Sequence, residues 1–189
     1  MTKKEILRIF EVAGVLQSGH FLLTSGRHSD KYMQCAKLFT NPQLSELLCG
    51  ELAKKLIKLD INCVTAPAIG GIIMGYSIAK NLNRKNIFAE RENGKMAFRR
   101  GFEITKGEKC IVVEDVVTTG GSVKEVIELI RNEGGEVVAV ASLVDRSGKK
   151  VDFGVPFYSL LSVNIKSYDP DNCPVCKKQV PLVKPGSRN

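Results

Sequence analysis

Ile111-Val112-Val113-Glu114-Asp115-Val116-Val117-Thr118-Thr119-Gly120-Gly121-Ser122 passes from an unbroken apolar run, through two adjacent carboxylates, into a loop of small residues. The approach has no polar alternation, which is the pattern of a strand covered on both faces. Beyond it Val123, Val126, Ile127 and Ile130 recur at helical spacing, predicting a helix from Ser122 to Asn132. Working outward, the same strand–turn–helix theme returns upstream. Cys63-Val64-Thr65-Ala66 leads through Pro67-Ala68-Ile69-Gly70-Gly71 into a helix from Ile72 to about Asn81. A strand around Ile87–Glu90 runs into a polar stretch, Arg91 to Gly101, and a fourth strand, Val137–Val144, follows Gly134-Gly135. Nearer the N-terminus, Ile6, Leu7, Ile9, Phe10 and Ala13 form one helical face that Gly14 stops, and Asn41-Pro42 opens a helix through Leu59. Val15 to Phe39 reads as short strands and turns. The expectation is one α/β domain over residues 1–189, a mainly parallel sheet flanked by helices, with ligands beyond the carboxyl ends of the strands.

Composition narrows the partners. With 43% hydrophobic residues in 189, the chain has material for a substantial core. No apolar stretch approaches the roughly 20 residues of a membrane span, and Met1-Thr2-Lys3-Lys4-Glu5 runs into an amphipathic pattern, so a cytoplasmic location is expected. The net charge of +8 suits an anion, either nucleic acid or a small polyphosphate. Its basic residues are dispersed, with small concentrations at Arg99-Arg100 and Lys177-Lys178, and aromatics are only 6%, so a nucleic-acid partner is not expected. Cysteines are six and scattered, without the look of a disulfide framework. Only Cys173-Pro174-Val175-Cys176 has metal-ligand or redox spacing. A structural zinc site needs four ligands, so this pair requires a second pair, from another chain if need be; the expectation is a tight turn holding two free thiols.

Two carboxylates ending a buried strand are costly unless something binds there. Behind them Thr118 to Ser122 allow backbone N–H groups to curl around an anion at a helix N-terminus. A plain strand-to-helix turn with capping acids is the competing reading. The stretch is neither a Walker A loop nor a G-x-G-x-x-G fingerprint. Val112 to Ser122, with two hydrophobics, two acids, two hydrophobics and a Thr/Gly/Ser loop, resembles the phosphoribosyl-pyrophosphate signature of type I phosphoribosyltransferases. The resemblance implies that Glu114 and Asp115 contact the ribose hydroxyls as the catalytic carboxylates, and that Val116, Val117, Thr118, Thr119, Gly120, Gly121 and Ser122 cradle the 5-phosphate. Positive charge builds on the ribose as pyrophosphate leaves, and nearby carboxylates stabilise it. Magnesium is the expected cofactor, as a hard ion for an oxygen-rich site that neutralises the leaving group.

Pro67–Gly71 resembles the family's pyrophosphate loop, with a tight packing turn as the alternative. Arg91–Gly101 reads either as a solvated charged loop or, by the resemblance, as a mobile basic lid shared with a neighbouring subunit, in which Arg91 and Lys95 hold pyrophosphate and Lys95 joins the catalytic set. A homodimer is implied by the same resemblance.

Nearly the whole chain is similar to orotate phosphoribosyltransferases. Phe21-Leu22-Leu23-Thr24-Ser25-Gly26-Arg27-His28-Ser29-Asp30-Lys31-Tyr32 looks like their leader, which implies a hood over the base built from about 15–40 and 157–189. Thr118 and Arg146 match their orotate-contacting positions. A guanidinium fork suits orotate's carboxylate; an ion pair between Arg146 and Asp145 is the competing role. The sequence departs from the better known bacterial enzymes at Thr24 and Gly70, which stand in place of lysines, and in a lid without histidine, the histidines being His20 and His28. Its ending, from Asp169 to Cys176 and from Leu182 through Lys184, Pro185, Gly186, Ser187 and Arg188, resembles a divergent, Thermus-like branch. The resemblance implies synthesis of orotidine 5'-phosphate and pyrophosphate from 5-phosphoribosyl-1-pyrophosphate and orotate. The alternatives are a purine salvage phosphoribosyltransferase, and a regulator that senses the same sugar phosphate and binds nucleic acid.

Overall fold

The computed structural model describes residues 1–23, 25–148 and 150–185; Thr24 of the leader and Gly186, Ser187 and Arg188 of the ending lie outside the described residues. Helix α1 (Lys3–Val12) starts at a capping box in which Thr2 and Glu5 satisfy each other's backbone N–H groups. A hairpin follows, β1 (Leu16–Leu22) and β2 (His28–Met33), then a 3-10 turn (Cys35–Thr40). Asn41 caps α2 (Pro42–Leu56), accepting from the Leu44 N–H, with proline at the first helical position. The rest alternates: β3 (Cys63–Pro67), α3 (Gly70–Leu82), β4 (Lys85–Glu92), β5 (Lys95–Phe98), β6 (Lys109–Val117), α4 (Gly121–Asn132), β7 (Glu136–Asp145) and β8 (Phe157–Ser162).

Six strands form one sheet in the order β5-β4-β3-β6-β7-β8, and β5 alone runs antiparallel. Side chains alternate along β6: Ile111 and Val113 join the core beneath α1, α2 and α3, while Cys110 and Val112 join the core beneath α4. Both faces are thus covered, which is why these strands read as continuous apolar runs. β7 carries one extra residue between the pairs Cys110–Val137 and Ile111–Ala139, a bulge that puts Val138 and Ala139 on the same core side. Among the described residues, no helix is long and apolar enough to cross a membrane.

From β3 the chain moves by α3 to β4 on one side, then returns by β6 to the other side of β3. The β3–α3 and β6–α4 turns therefore flank the point where strand order reverses, and a crevice opens there. Several expectations shift by a few residues. Glu114 to Val117 belong to β6 rather than to the turn, because they pair with Ser142 to Asp145 of β7. The α2 helix stops at Leu56 and α3 starts at Gly70. Residues 157–162 are not hood. They form the edge strand β8, in register with Val140 to Asp145, so the C-terminal part of the hood begins beyond Ser162.

That hood is a separate layer. The β1–β2 hairpin is crossed by the C-terminal segment through bridges between His28 and Tyr168 and between Phe21 and Val183. Arg27 donates to both the hydroxyl and the carbonyl of Ser167 at 2.9 Å, and Ser29 Oγ donates to the Lys166 carbonyl. The Cys173–Cys176 turn does not hold two thiols by themselves, as its spacing led one to expect: both sulfurs face His20 and His28.

Candidate active site

Two loops and one acidic pair meet at the crevice. Glu114 lines a cavity of about 80 Å³ with Val116 to Val123, the room of between two and three waters at about 30 Å³ each and a fit for one phosphate group. Gly120, at φ 75°, carries the entry to α4 without a side-chain cap. A Cβ there would stand 2.8 Å from both Phe153 and Val151, so the left-handed turn and the close packing both require glycine. The first residues of α4, Gly121, Ser122 and Val123, line the cavity and have no capping side chain, and helix-start N–H groups of this kind suit an anion.

Asp115 lies against the other loop. A Cβ placed on Gly70 would be 3.2 Å from Asp115 Oδ2, so the β3–α3 turn approaches the carboxylate closely because it has no side chain at that position. The Ala68–Ile69 peptide within this turn is cis. Asp115 Oδ1 accepts from the Val116 N–H at 2.8 Å. Burial pushes the Glu114 carboxyl up to about 9, with the Asp115 charge adding to it. Asp115 is also raised, again chiefly by burial. Such an acid pair, short of donors in a half-closed cleft, suits hydroxyls or a hard cation.

Arg146 follows β7 and is tied to the signature strand by its N–H, which donates to the Val117 carbonyl at 2.8 Å. It does not pair with Asp145. That buried carboxylate accepts from the N–H and hydroxyl of Ser147, at 2.8 and 2.6 Å, and more distantly from Ser162. The Arg146 guanidinium is half-buried and makes no ion pair among the described residues. Burial lowers its affinity for the proton, while Cys35 and Tyr32 of the hood side act on it electrostatically. Thr118 stands exposed at the end of β6.

The lid reading fares unevenly. The β4–β5 hairpin turns through Asn93 and Gly94, both at positive φ. Its arginines are engaged: Arg91 bidentate to Glu125 of α4 at 2.8 Å, Arg100 bidentate to Glu90, and Arg99 to Glu92 at 3.4 Å. In this arrangement Arg91 is held against α4, because Glu125 lies directly opposite on the first turns of that helix. Lys95 is exposed at the hairpin tip.

Residues 37–170 match the phosphoribosyl transferase domain family. An orotate phosphoribosyltransferase of Caldanaerobacter subterraneus subsp. tengcongensis is 57% identical over 100% of this chain and 99% of its own length. The chain belongs to the orotate phosphoribosyltransferase family. A relative of that name from Carboxydothermus hydrogenoformans is 58% identical, with 97% of each chain covered. Among solved structures, the orotate phosphoribosyltransferase of Aeropyrum pernix superposes with a TM-score of 0.73 at 25% identity, over 84% of this chain and 93% of that one. The type I fold of this family member is thus shown by sequence and by shape. Of the residues singled out in the sequence, Glu114 and Val116 to Ser122 line one cavity, and the backbone of Arg146 is bonded to Val117 beside it. Sequence reasoning did not join His20 and His28 to the cysteine pair.

Proposed function

We propose that the chain transfers the 5-phosphoribosyl group of 5-phosphoribosyl-1-pyrophosphate to orotate, giving orotidine 5'-phosphate and pyrophosphate in pyrimidine nucleotide synthesis. The observation that carries this reading is Arg146, a half-buried guanidinium with no carboxylate partner among the described residues, whose backbone is bonded to Val117 at the head of the loop. Orotate supplies the missing carboxylate, and a bidentate pair fixes its ring. The 5-phosphate enters the cavity of Val116 to Ser122, while Glu114 and Asp115 accept from the ribose hydroxyls. The bond from the anomeric carbon to pyrophosphate breaks, that carbon bonds to a ring nitrogen of orotate, and the two carboxylates stabilise the positive charge in between. The oxygen donors of Glu114 and Asp115 fit magnesium, which would neutralise the departing pyrophosphate. Backbone N–H groups of Ile69 to Gly71, in the turn that meets Asp115, would serve that group, the Ala68 N–H being taken by the Ala89 carbonyl, and Lys95, without an ion-pair partner among the described residues, would supply a cation from the hairpin.

A homodimer is part of the reading. Ile69, Ile73 and Tyr76 project from one side of α3 at 86%, 53% and 64% exposure, a spacing of a single helical face that a second subunit would cover. The free cysteines suit a reducing compartment, and we place the enzyme in the cytoplasm. The test is orotate consumption followed by ultraviolet absorbance with 5-phosphoribosyl-1-pyrophosphate, with and without magnesium, beside hypoxanthine, guanine, xanthine and uracil. Magnesium-dependent turnover of orotate alone is the expected result. Turnover of a purine instead would sink the role given to Arg146.

A further inference from the structure

Away from the cleft, four side chains converge between the β1–β2 hairpin and the C-terminal segment. His20 comes from β1, where the strand bulges between Ser18 and Phe21, and His28 opens β2. Cys173 and Cys176 come from the turn that follows Pro170–Asn172. One ligand atom from each lies within 4.8 Å of the other three. His20 Nε2 is 3.0 Å from His28 Nδ1, 3.6 Å from Cys173 Sγ and 3.5 Å from Cys176 Sγ, and His28 Nδ1 is 3.2 Å from Cys176 Sγ. With Zn–N bonds of about 2.0–2.1 Å and Zn–S bonds of about 2.3 Å, a tetrahedral site sets nitrogens about 3.3 Å apart, nitrogen and sulfur about 3.6 Å, and sulfurs about 3.8 Å. The side chains already stand close to those separations.

Three further observations point the same way. His20 Nδ1 lies 2.8 Å from the Val180 carbonyl. An N–H donated there leaves Nε2 bare and aimed at the cluster, the outer-shell arrangement that fixes a metal-bound imidazole. His20, His28 and Cys173 are buried, at 3%, 7% and 1% exposure, with Cys176 on the solvent side. Finally, two thiolates and two neutral imidazoles cancel the charge of one divalent ion, so burying the filled site leaves no net charge; the two thiol protons go to solvent.

We propose that His20, His28, Cys173 and Cys176 form a closed, structural zinc site that joins the C-terminal segment to the hood hairpin. Two nitrogens and two sulfurs in tetrahedral disposition favour zinc among divalent ions, and four protein ligands leave no open position for catalysis. The site joins both strands of the hairpin to the segment that crosses them, so its role is to hold that hood layer together.

The experiment is metal analysis of untagged protein, purified under reducing conditions without chelator and passed through gel filtration. One zinc per chain is expected, and cobalt replacement should give tetrahedral ligand-field bands with thiolate-to-cobalt charge transfer. Cys176→Ser, at the exposed ligand, keeps the fold and should weaken zinc retention by more than the about 10- to 100-fold of an outer-shell change. Cys173→Ser should do the same, and chelation should lower the Tm reversibly. Protein that holds no zinc even after saturation and desalting, zinc that stays undiminished in Cys176→Ser, or a Cys173–Cys176 disulfide in the reduced preparation would each overturn the proposal.

Discussion

At the scale of single residues, the site works by leaving particular groups unpartnered. Arg146 has no carboxylate partner among the described residues, and Asp145 is turned to Ser147 and Ser162 instead. Arg146→Ala should therefore raise KM for orotate about 10- to 100-fold, the worth of a charge-assisted pair, while KM for the phosphoribosyl donor stays nearly constant in initial-rate kinetics. Glu114 makes a pH prediction. Its carboxyl is raised from 4.5 to about 9 in the folded chain, so between those values the folded state binds more protons than the unfolded state. Stability of the ligand-free protein from this group is then greatest at low pH and is lost as pH rises towards about 9. Binding of the donor's hydroxyls needs the ionised form, so donor affinity should rise across the same window. Thermal melts and titration calorimetry at a series of pH values check both slopes, and Glu114→Gln should flatten each of them. A donor affinity that does not change with pH in the unsubstituted chain would count against an acceptor role for Glu114.

Among the elements, the β4–β5 hairpin is the one whose contacts the structure adds to most. The charge run Arg91–Gly101 could be read as a loop or a lid from sequence, but not the pairing of its arginines, since Glu125 is remote in the chain and meets Arg91 only when β4 and α4 pack. Glu125→Ala should release the hairpin, speeding amide exchange in residues 91–98 while changing global stability by less than about 1 kcal/mol, as expected for an exposed pair. Unchanged exchange would mean that the hairpin is held by its strand pairing alone. The central strands were legible because burial on both faces makes their sequences continuous and apolar, as Ile111–Val113 shows. Ends were less so: β6 continues through its two acids because the ladder with β7 continues, and charge in a sequence looks like a strand's end. Phe157–Ser162 was assigned to the hood although it is an edge strand, since its mixed Phe-Tyr-Ser-Leu-Leu-Ser composition has one half-open face and no period to separate it from a loop. The histidines of the hood were visible as residues and illegible as neighbours, for 153 positions separate His20 from Cys173.

For the molecule as a whole, the crevice belongs to the sheet, whereas the β1–β2 hairpin is joined to a segment from the far end of the chain. If Lys95 serves the partner's site, mixing Lys95→Ala chains with Asp115→Ala chains should restore a fraction of activity through one intact hybrid site. Verified heterodimers without recovery would assign each lid to its own subunit. The crossing of β1 and β2 by the segment from Tyr168 to Val183 also has a temporal consequence. During synthesis the hairpin leaves the ribosome early, with its outer edges and its two histidines unanswered, while the sheet strands are made in turn. At about 5–20 residues per second, the 153 positions to Cys173 impose a wait of roughly 8–30 s. On the proposed reading, the loop of Val116 to Ser122 assembles on a nascent chain well before the C-terminal segment crosses the hairpin, and translation itself would order donor binding ahead of acceptor binding.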